Sequence, residues 1–344
     1  MKRPTIADIA RRAGVSKGAV SYALNGQPGV SEATRQRVLT IAEEIGWNPN
    51  SAARALSGAA ANAIGLALRR PARVLGLEPF YMELISGVEA ELATASYGLM
   101  LQVVADSEAE IGVYRRWWGE RRVDGVLICD LRLDDPRVKA LTELELPAVV
   151  IGGPDGVDGL ANTWNDDGAA LAETVEYLAA LGHRRLGRVA GLSDLRHTRV
   201  RAEAFDQACR RLALTLAVTE STDYSGEQGA QATRRLLSGP DRPTALIYDN
   251  DVMAIAGLSV AQEMGLAVPG DVSIVAFDDS PLCRLVHPPL TALTRDIPAH
   301  GARAARQLLD VISGAQPPMS QQMTTARLTP RGSTAKPAPT ITLR

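Results

Sequence analysis

Several apolar runs of this 344-residue chain end in a polar residue. Asp130 follows Gly125–Cys129, Asn250 and Asp251 follow Thr244–Tyr248, and Asp278 and Asp279 follow Val272–Phe277. Asp167 opens a helical pattern. Arg201 stands near the start of another, where a cation opposes the helix dipole and calls for a reason of its own. Parallel α/β sheets bind ligands at the carboxyl ends of their strands, which is where the strand-end residues fall. Carboxylates, an amide and a guanidinium converging on one pocket suit a polyhydroxylated small molecule, because each hydroxyl both donates and accepts. Tyr81 and Trp164 would add an apolar or stacking face. Structural alternatives stand beside these roles: Asp167 and Asn250 as helix caps, Asp278 or Asp279 as caps of the following turn, and Tyr81 as core.

Motifs for covalent or metal chemistry are absent. The sequence has no Gly-x-x-x-x-Gly-Lys-Ser/Thr phosphate loop, and neither a Gly-x-Gly-x-x-Gly nor a Gly-x-Ser-x-Gly elbow after a strand. The four histidines (His183, His197, His287, His300) form no i, i+4 metal pair. The three cysteines (Cys129, Cys209, Cys283) are widely spaced and form no Cys-x-x-Cys pair. The expectation is a non-enzyme with no catalytic residue, metal or cofactor, its cysteines buried as small apolar groups. No apolar run approaches membrane-spanning length, and Met-Lys-Arg-Pro leads into an amphipathic helix rather than a secretory leader. A cytoplasmic location without membrane contact is therefore expected.

The elements that must position these groups fall into two sets. In the first 58 residues Ile6, Ile9, Ala10 and Ala13 share one helix face, with Thr5 and Asp8 as a box-like cap and Gly14 as the stop. Ser16 caps a second helix with Val20 and Leu24 inward and Lys17, Ser21 and Tyr22 outward. Ser31 caps a third, with Val38, Ile41, Ala42 and Ile45 on one face. Two short helices joined by a tight turn predict a helix-turn-helix whose second helix enters the major groove of double-stranded DNA. This segment carries eight Lys/Arg against four Asp/Glu, a net +4, while the whole chain is −2. The phosphate-neutralising charge thus sits at one end.

The remainder alternates apolar runs with helical patterns. Strands are predicted at Ile64–Leu68, Leu99–Val104, Gly125–Cys129, Ala148–Ile151, Leu186–Ala190, Thr244–Tyr248 and Val272–Phe277. Helices are predicted at Tyr81–Ala95, Glu108–Gly119, Asp167–Leu181, Val200–Leu212, Gly226–Leu237 and Val252–Met264. Such alternation implies parallel sheets covered on both faces by helices, and so many strands need two sheets.

The N-terminal segment resembles the DNA-binding headpiece and hinge of the LacI/GalR regulators. The Val-Ser-x-x-x-Val-Ser core at 15–21, Asn25-Gly26, Pro49-Asn50 and Ala53-Arg54-Ala55-Leu56 match in order and spacing. The body is similar to the effector-binding core of the same family through Arg122-Val123-Asp124-Gly125-Val126, Leu181-Gly182-His183-Arg184-Arg185, Val268-Pro269-Gly270-Asp271-Val272 and Arg331-Gly332-Ser333-Thr334. The resemblance implies a headpiece at 1–49, a hinge helix and linker at 50–61 and a periplasmic-binding-protein-like core at 62–334. The two doubly wound subdomains would span about 62–161 with 291–323 and 162–290 with 324–334, joined by crossovers near 161, 290 and 324. Residues 335–344 are expected to be a disordered tail. The expected DNA-binding set is Thr5, Ser16, Lys17, Gly18, Ser21, Tyr22 and Asn25, with Asn50, Ala53, Arg54 and Leu56 of the hinge. Leu56 would be a minor-groove wedge. Arg201, in Arg-x-x-Ala-Phe, stands where relatives carry Arg-x-x-Gly-Phe to grip the effector.

The sequence departs from that family at Ala19 and Tyr22, where many relatives carry Thr and Arg, and at Trp164, where Asp is common. The departures point to a different half-site and leave the effector class open. The function read from the sequence is a repressor that binds a near-palindromic operator as a homodimer, or as a tetramer, and is released by a sugar or oligosaccharide. A nucleobase or nucleoside co-repressor is the alternative, and a solute-binding protein a further one.

Overall fold

The computed structural model describes residues 4–47, 60–70 and 75–338. The chain divides into two compact units, residues 1–61 and 62–344. In the first, helices α1 (Ile6–Ala13), α2 (Lys17–Leu24) and α3 (Glu32–Glu44) close over an apolar cluster of Ile9, Ala10, Ala13, Val20, Ala23, Val38 and Ala42. Leu24 flanks that cluster, half-buried. Each helix starts on a polar cap. The Thr5 N–H and hydroxyl both donate to the Asp8 carboxylate, at 3.0 and 2.6 Å. Ser16 Oγ accepts from the Ala19 N–H at 3.1 Å, and Ser31 Oγ from the Thr34 N–H at 3.3 Å. Gly14, at φ +67°, ends α1 in the left-handed conformation that glycine adopts without strain. The expected hinge helix, with Asn50, Ala53, Arg54 and Leu56, lies outside the described residues.

In the second unit strands and helices alternate. The first half runs β1 (Ala63–Leu68), α4 (Pro79–Thr94), β2 (Gly98–Val103), α5 (Ser107–Gly119), β3 (Gly125–Ile128), α6 (Pro136–Glu143), β4 (Ala148–Ile151) and β5 (Ala161–Trp164). There follow α7 (Asp167–Leu181), β6 (Arg185–Ala190), α8 (Arg196–Arg211), β7 (Leu216–Ser221), α9 (Gly226–Leu237), β8 (Ala245–Tyr248), α10 (Asp251–Glu263) and β9 (Ser273–Ala276). The chain closes with α11 (Leu282–Leu285), β10 (Thr291–Thr294), α12 (Ile297–Ile312), β11 (Ser320–Gln322) and β12 (Arg327–Thr329). Two six-stranded sheets result, in the orders β11-β5-β4-β3-β1-β2 and β12-β10-β9-β8-β6-β7. Every pairing is parallel except β10 with β12. Each sheet is sandwiched between two apolar layers. One sheet lies between the clusters around Leu84 and Trp117, the other between those around Phe205 and Tyr248.

Two of the three crossovers lie a few residues beyond the expected positions, and the third falls at the expected one. β5 pairs in parallel with β4, so the chain leaves the first sheet after Trp164 rather than near 161. β10 pairs with β9, so the return follows Thr294 rather than 290. The third passage lies between β11 and β12. Nor does the chain come free after Thr334. The Ala335 N–H donates to Ser273 Oγ at 3.1 Å, and its carbonyl accepts from His183 Nε2 at 2.9 Å, which ties residue 335 to the second sheet. No helix among the described residues is long and apolar enough to cross a membrane.

Candidate functional site

The carboxyl ends of the two sheets face each other across a cleft enclosing about 900 Å³ of empty space, solvent at its mouth included. Tyr81, Asp130, Asp167, Arg201 and Asp278, all predicted from sequence, line it. From the first subdomain, Asp130 follows β3 at φ +54°, a left-handed conformation that costs a non-glycine residue energy and recurs at binding sites. The Tyr81 hydroxyl donates to its carboxylate at 2.5 Å, and Arg70 Nε lies 2.9 Å from it and 2.7 Å from the Tyr81 oxygen. Burial pushes the Asp130 carboxyl up, but the Arg70 charge and the hydrogen bonds from Tyr81 and Arg70 act together against it and hold it down at about 2. The Asp130 carbonyl is fixed from behind by the buried Arg137, whose Nη2 donates to it at 2.9 Å.

From the second subdomain, Arg201 donates to Asp167 Oδ2 through Nε and Nη2, at 2.9 and 2.6 Å, and to the Asp249 carbonyl at 3.1 Å. Its guanidinium carbon sits 3.5 Å from the centre of the Phe277 ring. Asp167 therefore does not cap α7; Asp166 does, accepting from the Ala169 N–H at 2.8 Å. Burial pushes the Asp167 carboxyl up, and Arg201 and Arg295 together more than offset it, leaving it below the usual carboxylate range. Asp278 accepts from Arg295 at 2.7 Å. Asp249 holds the fully buried Arg188 in a two-point bond of 2.8 and 2.6 Å, a strut beneath the cleft floor.

Two predicted residues do not line the cleft. Trp164 ends β5, and its Nε1 donates to Ser320 Oγ of β11 at 3.0 Å. Asn250 is the cap of α10: its Oδ1 accepts from the Met253 N–H at 2.9 Å, and its Nδ2 donates to the Tyr224 carbonyl at 3.2 Å and to Glu78 Oε1 at 3.4 Å. With both ends engaged beneath the surface, Asn250 bridges the two subdomains.

The sequence reading missed Arg70, Glu78, Arg196, His197, Tyr224, Arg295 and His300. Arg70 and Arg295 follow β1 and β10 as Asp130 follows β3, so the strand-end rule locates Arg70; Arg295 escaped because β10 itself was not foreseen. Tyr224 has no sequence signal. It sits at φ +69° against Gly191, where a Cβ would come within 1.9 Å of the ring. Burial pushes the His197 and His300 imidazoles down to about 4. Both are neutral at pH 7 and act as hydrogen-bond partners, His197 Nε2 to the Tyr224 hydroxyl at 2.8 Å and His300 Nε2 to Thr163 Oγ1 at 3.0 Å. At the rim the backbones of the two subdomains touch: the Arg196 N–H donates to the Leu131 carbonyl and the Leu133 N–H to the Asp194 carbonyl, at 2.8 and 3.1 Å. No cluster of three metal-ligating side chains occurs among the described residues.

In the headpiece, Lys17, Gly18, Tyr22 and Asn25 of α2 and its C-terminus are exposed. Ser21 is half-buried, its Oγ within 3.3 Å of Asn25 Nδ2. Thr5 and Ser16 are exposed but occupied as helix starts. Arg35 of α3 donates to the Gln27 carbonyl at 3.0 Å and fixes the loop that leaves α2.

Residues 5–50 match the family described as bacterial regulatory proteins, lacI family, and residues 175–334 match a periplasmic binding protein-like domain. The HTH-type transcriptional regulator CelR of Thermobifida fusca is 31% identical over 319 residues, 91% of this chain and 93% of its own. The HTH-type transcriptional repressor PurR of Haemophilus influenzae is 30% identical over 314 residues, 90% of this chain and 91% of its own. Among solved structures, the lac repressor dimer bound to operator and an anti-inducer superposes with a TM-score of 0.84 at 25% identity, covering 97% of this chain and all of that one. A complex of the transcriptional regulator CelR with cellobiose gives 0.73 at 29%, covering 96% and 100%.

Proposed function

The chain belongs to the lacI family of bacterial regulatory proteins, DNA-binding transcription regulators rather than enzymes. From that premise we propose that it is a cytoplasmic repressor whose operator affinity is set by a sugar or oligosaccharide held between its two subdomains. The observation that carries the effector class is the cleft lining. Carboxylates and guanidinia from both sheets meet there beside the aromatic rings of Phe80, Tyr81 and Tyr224, a set that satisfies hydroxyls from several directions at once. The CelR–cellobiose complex supports a saccharide in a cleft of this architecture. The repressor acts as a homodimer, which presents two copies of α2 to successive major grooves of a near-palindromic site. Lys17, Gly18, Ser21, Tyr22 and Asn25 face the bases and phosphates, and the hinge residues Asn50, Ala53, Arg54 and Leu56 follow into the minor groove. A nucleobase co-repressor is the second reading, favoured by the similarity to PurR.

Coupling requires that the effector bind one subdomain arrangement better than another. A ligand that displaces the Asp167 contact of Arg201 meets that need, because it exchanges an internal pair for one that spans the cleft. The test begins with DNA selected from a random pool by the purified protein. The recovered operator is then titrated with saccharides and nucleobases for the parent and for Arg201→Ala. The variant should bind operator as the parent does and lose the effector response, a coupling of about 1–3 kcal/mol. An unchanged response removes Arg201 from the site. Release by nucleobases alone, or tightening by them, replaces the sugar reading.

A further inference from the structure

Three of the four guanidinia in the cleft have a carboxylate partner: Arg70 has Asp130, Arg201 has Asp167 and Arg295 has Asp278. Arg196, the first residue of α8, has no ion pair among the described residues. The stretches outside the description contain no Asp or Glu. Arg196 is held by shape instead. Its guanidinium occupies the space beside Gly156 in the first subdomain, where a Cβ would come within 2.4 Å of Nη2, and Gly156 sits at φ +72°. The positive φ favours glycine at this position, and the missing Cβ leaves the room the guanidinium occupies. The Arg196 Nε is buried without a hydrogen-bond partner.

Other unsatisfied donors face the same space. Arg70 is 6% exposed, and its Nη1 has no partner. The N-cap of α8 is Leu195, which has no side-chain acceptor; the Arg196 N–H is taken by the Leu131 carbonyl, and no side chain caps the rest of the first turn of this 16-residue helix. Glu78 does not balance this charge. Burial, only partly opposed by Arg70, raises its carboxyl to about 7. His197 and His300, being neutral, add no cation of their own.

We propose that the effector is a sugar derivative carrying one anionic group, a carboxylate or a phosphate, which seats against Arg196 and the N-terminus of α8 and takes a further hydrogen bond from Arg70. The assignment rests on the reading of this cleft as a saccharide-type effector site and narrows it. A neutral sugar leaves the half-buried Arg196 guanidinium without a counter-charge, whereas an anion completes its charge-assisted hydrogen bonds.

The test uses the full-length protein and Arg196→Gln, with retained operator binding as the check that the variant is folded. Thermal shift and calorimetry are run with inorganic phosphate, with glucose, glucuronate and glucose 6-phosphate, and with galactose and galacturonate. Phosphate should stabilise the parent saturably and Arg196→Gln far less. At least one acidic sugar should bind about tenfold or more tighter than its neutral parent, and the variant should lose that preference. The glucuronate and glucose 6-phosphate arms separate a carboxylate from a phosphate. Three results overturn the proposal: neutral sugars binding as tightly as their acids, a preference that survives in Arg196→Gln, or no response of the parent to any anion, phosphate included. Operator release by a neutral sugar would overturn this inference and leave the repressor reading standing. Phosphate bound through Arg196, with no ligand of any class affecting operator binding, would do the reverse.

Discussion

In the headpiece, Lys17 and Tyr22 stand in solvent on a helix whose inner face is only Val20 and Ala23. In the cleft, Asp167, Arg201 and Asp278 are each at least nine-tenths buried, and each is already bonded to another side chain. The difference follows from the ligand each region meets. DNA brings its own charge and a shell of releasable counterions, so the groups that meet it need only be displayed. A small molecule offers a few polar atoms, so the groups that meet it must be desolvated and pre-aimed, and they are tolerable in its absence only because they satisfy one another. A region of the first kind is cheap to fold and tolerant of change. A region of the second kind concentrates stability risk in a few buried pairs.

The sharpest way to break this contrast is to strand one buried charge. Asp249→Ala leaves the fully buried Arg188 unpaired and frees the Gly191 N–H, which Asp249 accepts at 3.1 Å. Urea melts of the second unit should lose about 3–5 kcal/mol, while the operator affinity of the folded fraction stays at the parent value. A loss below about 1 kcal/mol would mean that the strut is solvated and the contrast overdrawn.

A smaller effect separates the regions by pH. His300, buried and neutral, has a folded value of about 4 against an unfolded value near 6.5. Its value is depressed, so the unfolded chain takes up the proton first. The stability this neutral histidine supports is present above pH 6.5 and is lost as pH falls from 6.5 to 4. His300 accounts for about 3 kcal/mol of that fall. His197 acts in the same direction, whereas Glu78 and Asp251, pushed up by burial to about 7 and 6, act against it. The readout is therefore the difference between parent and His300→Gln, which should shrink steadily across that window. No histidine occurs in the first 58 residues, so operator binding should show no such histidine-linked change.

The smallest effect lies in the headpiece. Ser16→Ala removes the acceptor of the Ala19 N–H and should weaken the fold of α1–α3 by about 1 kcal/mol. Calorimetric effector titrations of the variant should match the parent. An altered effector affinity would show that the two units do not respond separately.

The same contrast explains what could be read from the sequence. The headpiece was legible because its caps, its apolar spacing and Gly14 lie within a few residues of one another. In the body, α7, α9 and β4 fall on their predicted ends because each is an uninterrupted pattern with clear stops. β5, Ala-Asn-Thr-Trp, has no apolar run, and β7 alternates half-buried with exposed residues as an edge strand does, so neither stood out. α12 buries His300 and Gln307 among alanines and glycine, which blurs its apolar stripe. Five cleft residues were found because strand ends and helix starts are local signals. Arg196 was not, since it looks like a solvated arginine until the fold lays it on Gly156, forty residues away. Asn250 is a helix cap, and a cap and a ligand contact have the same address in the sequence.

The three passages of the chain between the two sheets also bear on inheritance. Neither half of the cleft is one continuous stretch of the sequence: the first sheet takes strands from before residue 165 and from 320–322, and the second from the segments between and after. A single recombination event cannot exchange one half for another. The first unit, residues 1–61, is continuous and can be exchanged at one junction. Gene fusion can therefore join an old ligand specificity to a new operator in one step, while the two walls of the cleft pass to descendants together and diverge only by point substitution.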